Sequence, residues 1–208
     1  MAKAKKQNTE LTPKSNIFLI GEGLTERCYF QHIKRKYGIK NLQIKPRFFQ
    51  NSKSSIDGLG KKINDLLNHI GKNDDEYKII CVFDADVANK DSKIKQKFNE
   101  LKQKYKKNKN IIICDSLPSI EFWFLIHFEK TNKFFTTKSI EKELKKHIPN
   151  YDKTETFLEN PYWVNDLCSN NKLYEAINYS KTLKQETTSS YTNIHKAFSL
   201  LEIKNKEN

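Results

Sequence analysis

The sequence predicts an α/β fold, a mainly parallel four-stranded sheet flanked by helices and followed by a C-terminal helical extension. Three observations carry this expectation. Short apolar runs at 17–20, 42–49, 79–83 and 111–114 alternate with stretches of helical period, the order that calls for a parallel sheet with crossover helices. The run Ile79-Ile80-Cys81-Val82-Phe83 has the length and β-branched content of a strand buried on both faces. Acidic residues stand where runs stop, at Glu22, Asp84 and Asp115.

Taken in order, residues 1–15 are polar and basic and read as a flexible basic tail. A core is expected over 16–130 and the helical extension, packed on it, over 131–208. Ile17 to Ile20 make a first strand, stopped by Gly21-Glu22-Gly23. The helix after it starts at Thr25, places Phe30, Ile33 and Tyr37 on one face and ends at Gly38. Leu42–Phe49 supplies the second strand. Ser54 or Ser55 caps a helix whose Ile56, Leu59, Ile63, Leu66, Leu67 and Ile70 recur at helical spacing up to Gly71. After the third strand, Asp91 to Asn108 is amphipathic, with Ile94, Phe98, Leu101 and Tyr105 as its buried stripe. Ile111 to Cys114 form the fourth strand, ending at Asp115-Ser116, and Pro118 and Ser119 start a densely apolar helix with Glu121 in its first turn. In the extension, Ile140, Leu144 and Ile148 mark one helix, Trp163, Leu167, Tyr174 and Ile177 another region, and Ile194, Phe198 and Leu201 a last helix.

The 208 residues suffice for one domain with a real core. No apolar run reaches membrane-spanning length and the N-terminus lacks a signal-type segment, so a cytoplasmic protein without a membrane partner is expected. Cys28, Cys81, Cys114 and Cys168 lie far apart with no C-x-x-C. Three of them fall in apolar runs, which points to reduced buried thiols and away from zinc. No G-x-x-x-x-G-K-[ST] is present, which excludes a P-loop ATPase.

The formal charge is +13, and 35 of 38 basic residues are lysine, a balance suited to diffuse attraction to phosphates. A polyanionic partner, DNA or RNA, follows as an expectation; an AT-rich coding sequence is the bland alternative. Lys90 to Lys109 carries nine lysines against two acids. Lys93, Lys97 and Lys104 on this face are the candidate phosphate-backbone contacts, and ordinary solvation explains the same face.

Asp84 and Asp86 follow the central strand one residue apart. Side chains alternate with period two, so both project from one edge, where two hard oxygen donors suit a divalent cation such as Mg²⁺. A helix cap plus a solvated Asp fits an isolated D-x-D as well. Glu22, between two glycines, sits where backbone must approach something closely. Glu26 in the next helix's first turn has dipole complementarity as its plain explanation. His127 stands six residues from Glu121, nearly on the opposite side of a helix, and reads as a packed or capping histidine.

Gly21-Glu22-Gly23-x-Thr25-Glu26, Asp84-x-Asp86 and Ser116-x-Pro-Ser-x-Glu121-x-Trp123-x-Leu125-x-His127-Phe128 together resemble the RloB family, a Toprim-like group of bacterial restriction and phage-defence loci. Tyr191-Thr-Asn-Ile-His195 is similar, more loosely, to an element near that family's C-terminus. The resemblance spans about residues 16–201. It implies a Toprim core, in which a strand-one glutamate and a D-x-D surround one or two Mg²⁺ (or Mn²⁺) ions for phosphodiester chemistry. By motif, Glu22 matches the Toprim glutamate as ligand or general base, Glu26 the second acid, Asp84 and Asp86 the metal pair, and Glu121 the acid after the fourth strand. The implied activity is a metal-dependent nuclease working with a partner ATPase. A non-catalytic sensor or effector subunit, or a nucleic-acid-binding protein with a degenerate site, is the alternative.

Overall fold

A computed structural model describes residues 15–45, 56–70, 77–86, 91–186, 188–201 and 203. Most of the basic tail, the caps Ser54 and Ser55, the second half of the 42–49 run, Gly71 and Lys90 lie outside the described residues. The elements are β1 (Asn16–Gly21), α1 (Leu24–Tyr37), β2 (Leu42–Lys45), α2 (Ile56–Ile70), β3 (Tyr77–Asp84), α3 (Ser92–Tyr105) and β4 (Ile111–Leu117). There follow α4 (Ile120–Leu125), α5 (Thr137–Leu144), α6 (Glu155–Leu158), α7 (Tyr162–Leu167), α8 (Lys172–Ser180), β5 (Tyr191–Thr192) and α9 (His195–Leu201).

The sheet has the order β2-β1-β3-β4-β5, with the first four strands parallel and β5 antiparallel to β4. From β1 the chain goes outward to β2 and then returns past β1 to β3. The carboxyl ends of β1 and β3 therefore flank a topological switch point, the place where open α/β sheets hold ligands.

Both faces of the sheet are covered, which is why its strands are apolar throughout. On one side Ile17, Leu19, Ile80, Val82 and Cys114 pack with α1, α4 and the C-terminal helices. On the other, Phe18, Ile20, Ile79, Cys81 and Phe83 pack with α2 and α3. The extension shares the first of these cores: Trp163 lies 6.1 Å from the Tyr29 ring and Trp123 stacks on Phe198 at 5.5 Å. All four cysteines are free and buried, as the apolar runs around three of them suggested.

Local chemistry sets the helix ends. Gly38 adopts φ +65°, and its N–H returns to the last turn of α1. Asp91 caps α3 by accepting from Lys93 N–H at 2.8 Å and Ile94 N–H at 3.3 Å. Among the described residues no helix is long and apolar enough to cross a membrane.

Two expectations are corrected. The sheet has five strands, not four, because Tyr191–Thr192 adds an antiparallel edge; two residues carry no periodicity that a sequence could display. β4 also runs on to Leu117, so Asp115 lies inside the strand, opposite Phe83, and is no strand-end acid. Its carboxylate is fully buried and accepts from Lys102 Nζ at 2.9 Å, Tyr191 OH at 2.8 Å and Asn193 Nδ2 at 2.8 Å. Asp115 fastens β5 and α3 to β4.

Candidate functional site

β1 stops at Gly21 and α1 starts at Leu24, so Glu22 is carried in the tight turn between them. A Cβ on Gly21 would stand 3.0 Å from Glu26 Cβ, and one on Gly23 3.1 Å from Glu26 Oε2. The close approach that this Gly-x-Gly allows is to a carboxylate of the chain itself. Glu26 Oε2 accepts from Gly23 N–H at 2.8 Å, and the side chain is almost wholly buried beneath the turn.

Glu22 reaches sideways to β3, where its Oε2 accepts from Asp84 N–H at 3.0 Å. Asp84 in turn accepts from Ile120 N–H at 2.9 Å through Oδ1, which ties the end of β3 to the first turn of α4. Ala85 N–H donates to the Ser116 carbonyl at 2.8 Å and Asp86 N–H to the Pro118 carbonyl at 3.2 Å, so the turn after β3 is laced to the turn after β4. Asp86 lies on this rim but leans toward the extension, where its Oδ2 accepts from Thr137 Oγ1 at 3.1 Å.

Glu121 enters from the start of α4 and is 1% exposed. It accepts from Ser119 Oγ through Oε2 and from Tyr151 OH at 2.8 Å through Oε1, and Lys153 Nζ lies 2.8 Å from Oε1. The same ammonium meets Glu141 Oε1 at 2.7 Å. Tyr151, Lys153 and Thr137 are site residues that sequence reasoning missed. They belong to the extension, and no spacing relates them to the acidic motifs.

The electrostatics follow from this crowding. Burial first, then the charges of Glu121 and Glu22, raise Glu26 to about 7. Burial, followed by the charges of Glu26, Glu121 and Glu22, holds Asp84 well above the usual carboxylate range, against the hydrogen bond from Ile120. Four carboxylates thus sense one another at the switch point, and Lys153 is paired with one of them, Glu121.

The donor set, hard carboxylate oxygens under mutual repulsion, fits a divalent cation in its chemistry. Its geometry is not a closed ligand sphere: among the described residues no three acidic, histidine or cysteine side chains are gathered closely enough to hold a metal ion. Glu22 and Asp84 are drawn together, while Asp86 is turned toward Thr137.

The other sequence candidates fall elsewhere. His127 is a packed histidine: its Nδ1 bonds the Trp123 carbonyl at 2.7 Å, and burial lowers it to about 3. Trp123 Nε1 donates to Tyr29 OH at 2.8 Å. Of the segment's singular residues, Glu121 thus faces the site while Trp123 and His127 build the core. Lys93, Lys97 and Lys104 share one exposed stripe of α3. Lys93 is nearest the acidic rim and Lys104, beside Asn64, lies about 16 Å further along the helix.

An open α/β sheet with helices on both faces and a carboxylate cluster at its switch point defines the class of this protein. The chain belongs to the RloB-like protein family, whose model matches residues 17–201. No curated protein and no solved structure matches it.

Proposed function

We propose that the protein is a Toprim-type nuclease that hydrolyses phosphodiester bonds of DNA or RNA with Mg²⁺ or Mn²⁺, in bacterial phage defence and alongside a partner ATPase. The observation that carries this reading is the pairing of Glu22 with the Asp84 backbone at the switch point, inside a cluster of mutually repelling carboxylates. Asp84, Asp86 and Glu22 would hold the metal, which when bound supplies Lewis-acid neutralisation of phosphate charge. Glu26, buried and raised to about 7, can hold or release a proton near neutral pH, the property asked of a general acid or base. Glu121 is fixed by Tyr151 and Lys153 and orients the α4 end of the cluster. The lysine stripe of α3 would draw the polyanionic substrate toward the rim.

The test is cleavage of plasmid, single-stranded DNA and structured RNA in Mg²⁺, Mn²⁺ and EDTA by the wild type and by Asp84→Asn. Loss should exceed the 10- to 100-fold, roughly, that outer-shell changes bring about. Undiminished cleavage by Asp84→Asn would remove the reading.

One observation favours a second reading, in which the rim recognises a partner without hydrolysis. Glu22, Glu26, Asp84, Asp86 and Glu121 each already accept from a donor within the chain. A chain inert on every nucleic acid, yet stoichiometric with an ATPase partner in a manner blocked by Glu22→Gln, would establish that alternative.

A further inference from the structure

β5 covers only the end of β4, with Ser116 facing Thr192 and Leu117 facing Tyr191. At Asn193, whose N–H donates to the Asp115 carbonyl at 2.8 Å, the chain leaves the sheet and enters α9. The stretch Ile111–Asp115 therefore forms an edge beyond which no described strand pairs. In a parallel pair, successive residues direct their peptide groups to opposite neighbours. Ile79 N–H donates to the Asn110 carbonyl and Ala85 N–H to the Ser116 carbonyl, so the even-numbered residues serve β3 and Ile111, Ile113 and Asp115 face outward. Ile111 N–H turns back to the Asn108 carbonyl at 3.2 Å and the Asp115 carbonyl is taken by Asn193. The N–H and C=O of Ile113 are left pointing outward at the centre of the edge.

This edge is the floor of a groove of about 520 Å³. Lys102, Gln103 and Lys106 stand on the α3 side, Gln185 and Lys196 on the other, and among the described residues no carboxylate lines it. Lys102 is held in place by Asp115 at 2.9 Å, and Lys106 and Lys196 are exposed. The walls offer positive charge and side-chain amides, and the floor offers main-chain donors and acceptors.

We propose that this groove binds an extended, acidic peptide segment of a partner protein, which adds a strand to β4 while its carboxylates meet the exposed Lys106 and Lys196. Strand addition draws affinity from main-chain hydrogen bonds and specificity from flanking side chains, and both are provided here. Edge lysines also deter pairing between like chains. The same repulsion, in a chain of net charge +13, disfavours a second copy and selects an acidic occupant. A nucleic acid would satisfy the lysines but lacks the N–H and C=O alternation that the floor is built to match.

The test uses the full chain and a fluorescent, end-capped peptide of alternating Val and Glu, followed by anisotropy. Three comparisons accompany it: the same peptide N-methylated at alternate residues, the variant Ile113→Pro, and the double variant Lys106→Glu/Lys196→Glu. Proline at 113 removes the outward N–H, together with a half-buried side chain that packs on the α2–α3 core, and leaves the donors and acceptors that serve β3 in place. Each loss of main-chain pairing should weaken binding about tenfold. The charge variant should weaken it and flatten its salt dependence. The N-methylated peptide reports on strand pairing even if Ile113→Pro does not fold. No saturable binding of the plain peptide, or equal binding of the plain and N-methylated peptides, would overturn the proposal. So would displacement by a single-stranded oligonucleotide together with indifference to N-methylation, which would mark the groove as a nucleic-acid track.

Discussion

Glu22 Oε2 accepts a hydrogen bond from Asp84 N–H at 3.0 Å, across 62 residues of chain. The bond joins the turn after β1 to the end of β3, so the carboxylate at the switch point also ties its two sides together just beyond the backbone ladder, which ends at Gly21 and Val82. Glu22→Gln keeps an acceptor at this position and removes the charge. It should unfold within about 1 kcal/mol of the wild type yet lose metal-dependent cleavage, whereas Glu22→Ala should lose both. Urea unfolding and a plasmid-nicking assay on the two variants check this. Equal cleavage by Glu22→Gln and wild type would contradict it.

Glu26 gives the pH dependence of stability in metal-free buffer. Its folded pKa, about 7, lies above its unfolded value, so the folded chain holds this proton more tightly. The stability so contributed is complete below about 4.5 and is lost as pH rises through about 7. Glu26→Gln cannot ionise. Its Tm relative to wild type should therefore rise between about pH 5 and about pH 8 in EDTA, by the equivalent of up to about 3 kcal/mol. Differential scanning fluorimetry across that range measures it, and a difference flat with pH would refute the assignment.

Lys153 is the cation seated on buried Glu121. Removing it in Lys153→Met leaves a carboxylate with its ammonium partner gone. The lysine side chain is 41% exposed, so solvent screens part of the effect and the expected destabilisation is about 1 to 2 kcal/mol. Pairing it with Glu121→Gln should recover part of that loss. A double-mutant cycle by urea denaturation measures the coupling, and strict additivity would show that the pair does not interact.

Asp115 anchors the C-terminal strand. Asp115→Ala leaves Lys102, Tyr191 and Asn193 without their shared acceptor and should cost about 3 kcal/mol. Tyr191→Phe removes one of the three bonds and should cost about 1 kcal/mol. Hydrogen exchange should show the amide of Asn193, which donates to the Asp115 carbonyl, opening in Asp115→Ala while those of β3 stay protected. Uniform opening across the sheet would mean that β5 is not the part released.

The four parallel strands and the helices between them were legible because each is written in a local period: β-branched runs, a 3.6-residue stripe, a glycine at a helix end. Glu22, Glu26, Asp84, Asp86 and Glu121 were legible as candidates for a related reason, since Glu22, Asp84 and Asp86 stand where a strand run stops and Glu26 and Glu121 where a helical one starts. Asp115 misled on the same grounds. An acid at the end of an apolar run looks alike whether the strand stops there or continues for two more residues, here Ser116 and Leu117, and only the partner strand β5 decides. The two-residue β5 left no signal, because a strand that short is defined by what it pairs with.

What the amino-acid sequence determined by itself is therefore the order of elements, the acidic character of the strand ends, the lysine-rich face of α3 and membership in the RloB-like family. The tertiary structure alone decided that Tyr151 and Lys153 close on Glu121, that Thr137 takes an oxygen of Asp86, and that β4 keeps part of its edge open between lysines. The physical reason is range. Periodicity and capping are energies between residues a few positions apart, whereas Glu121 meets Tyr151 across 30 residues and Asp115 meets Tyr191 across 76. Contacts of that separation exist only once two faces of a core have been brought together.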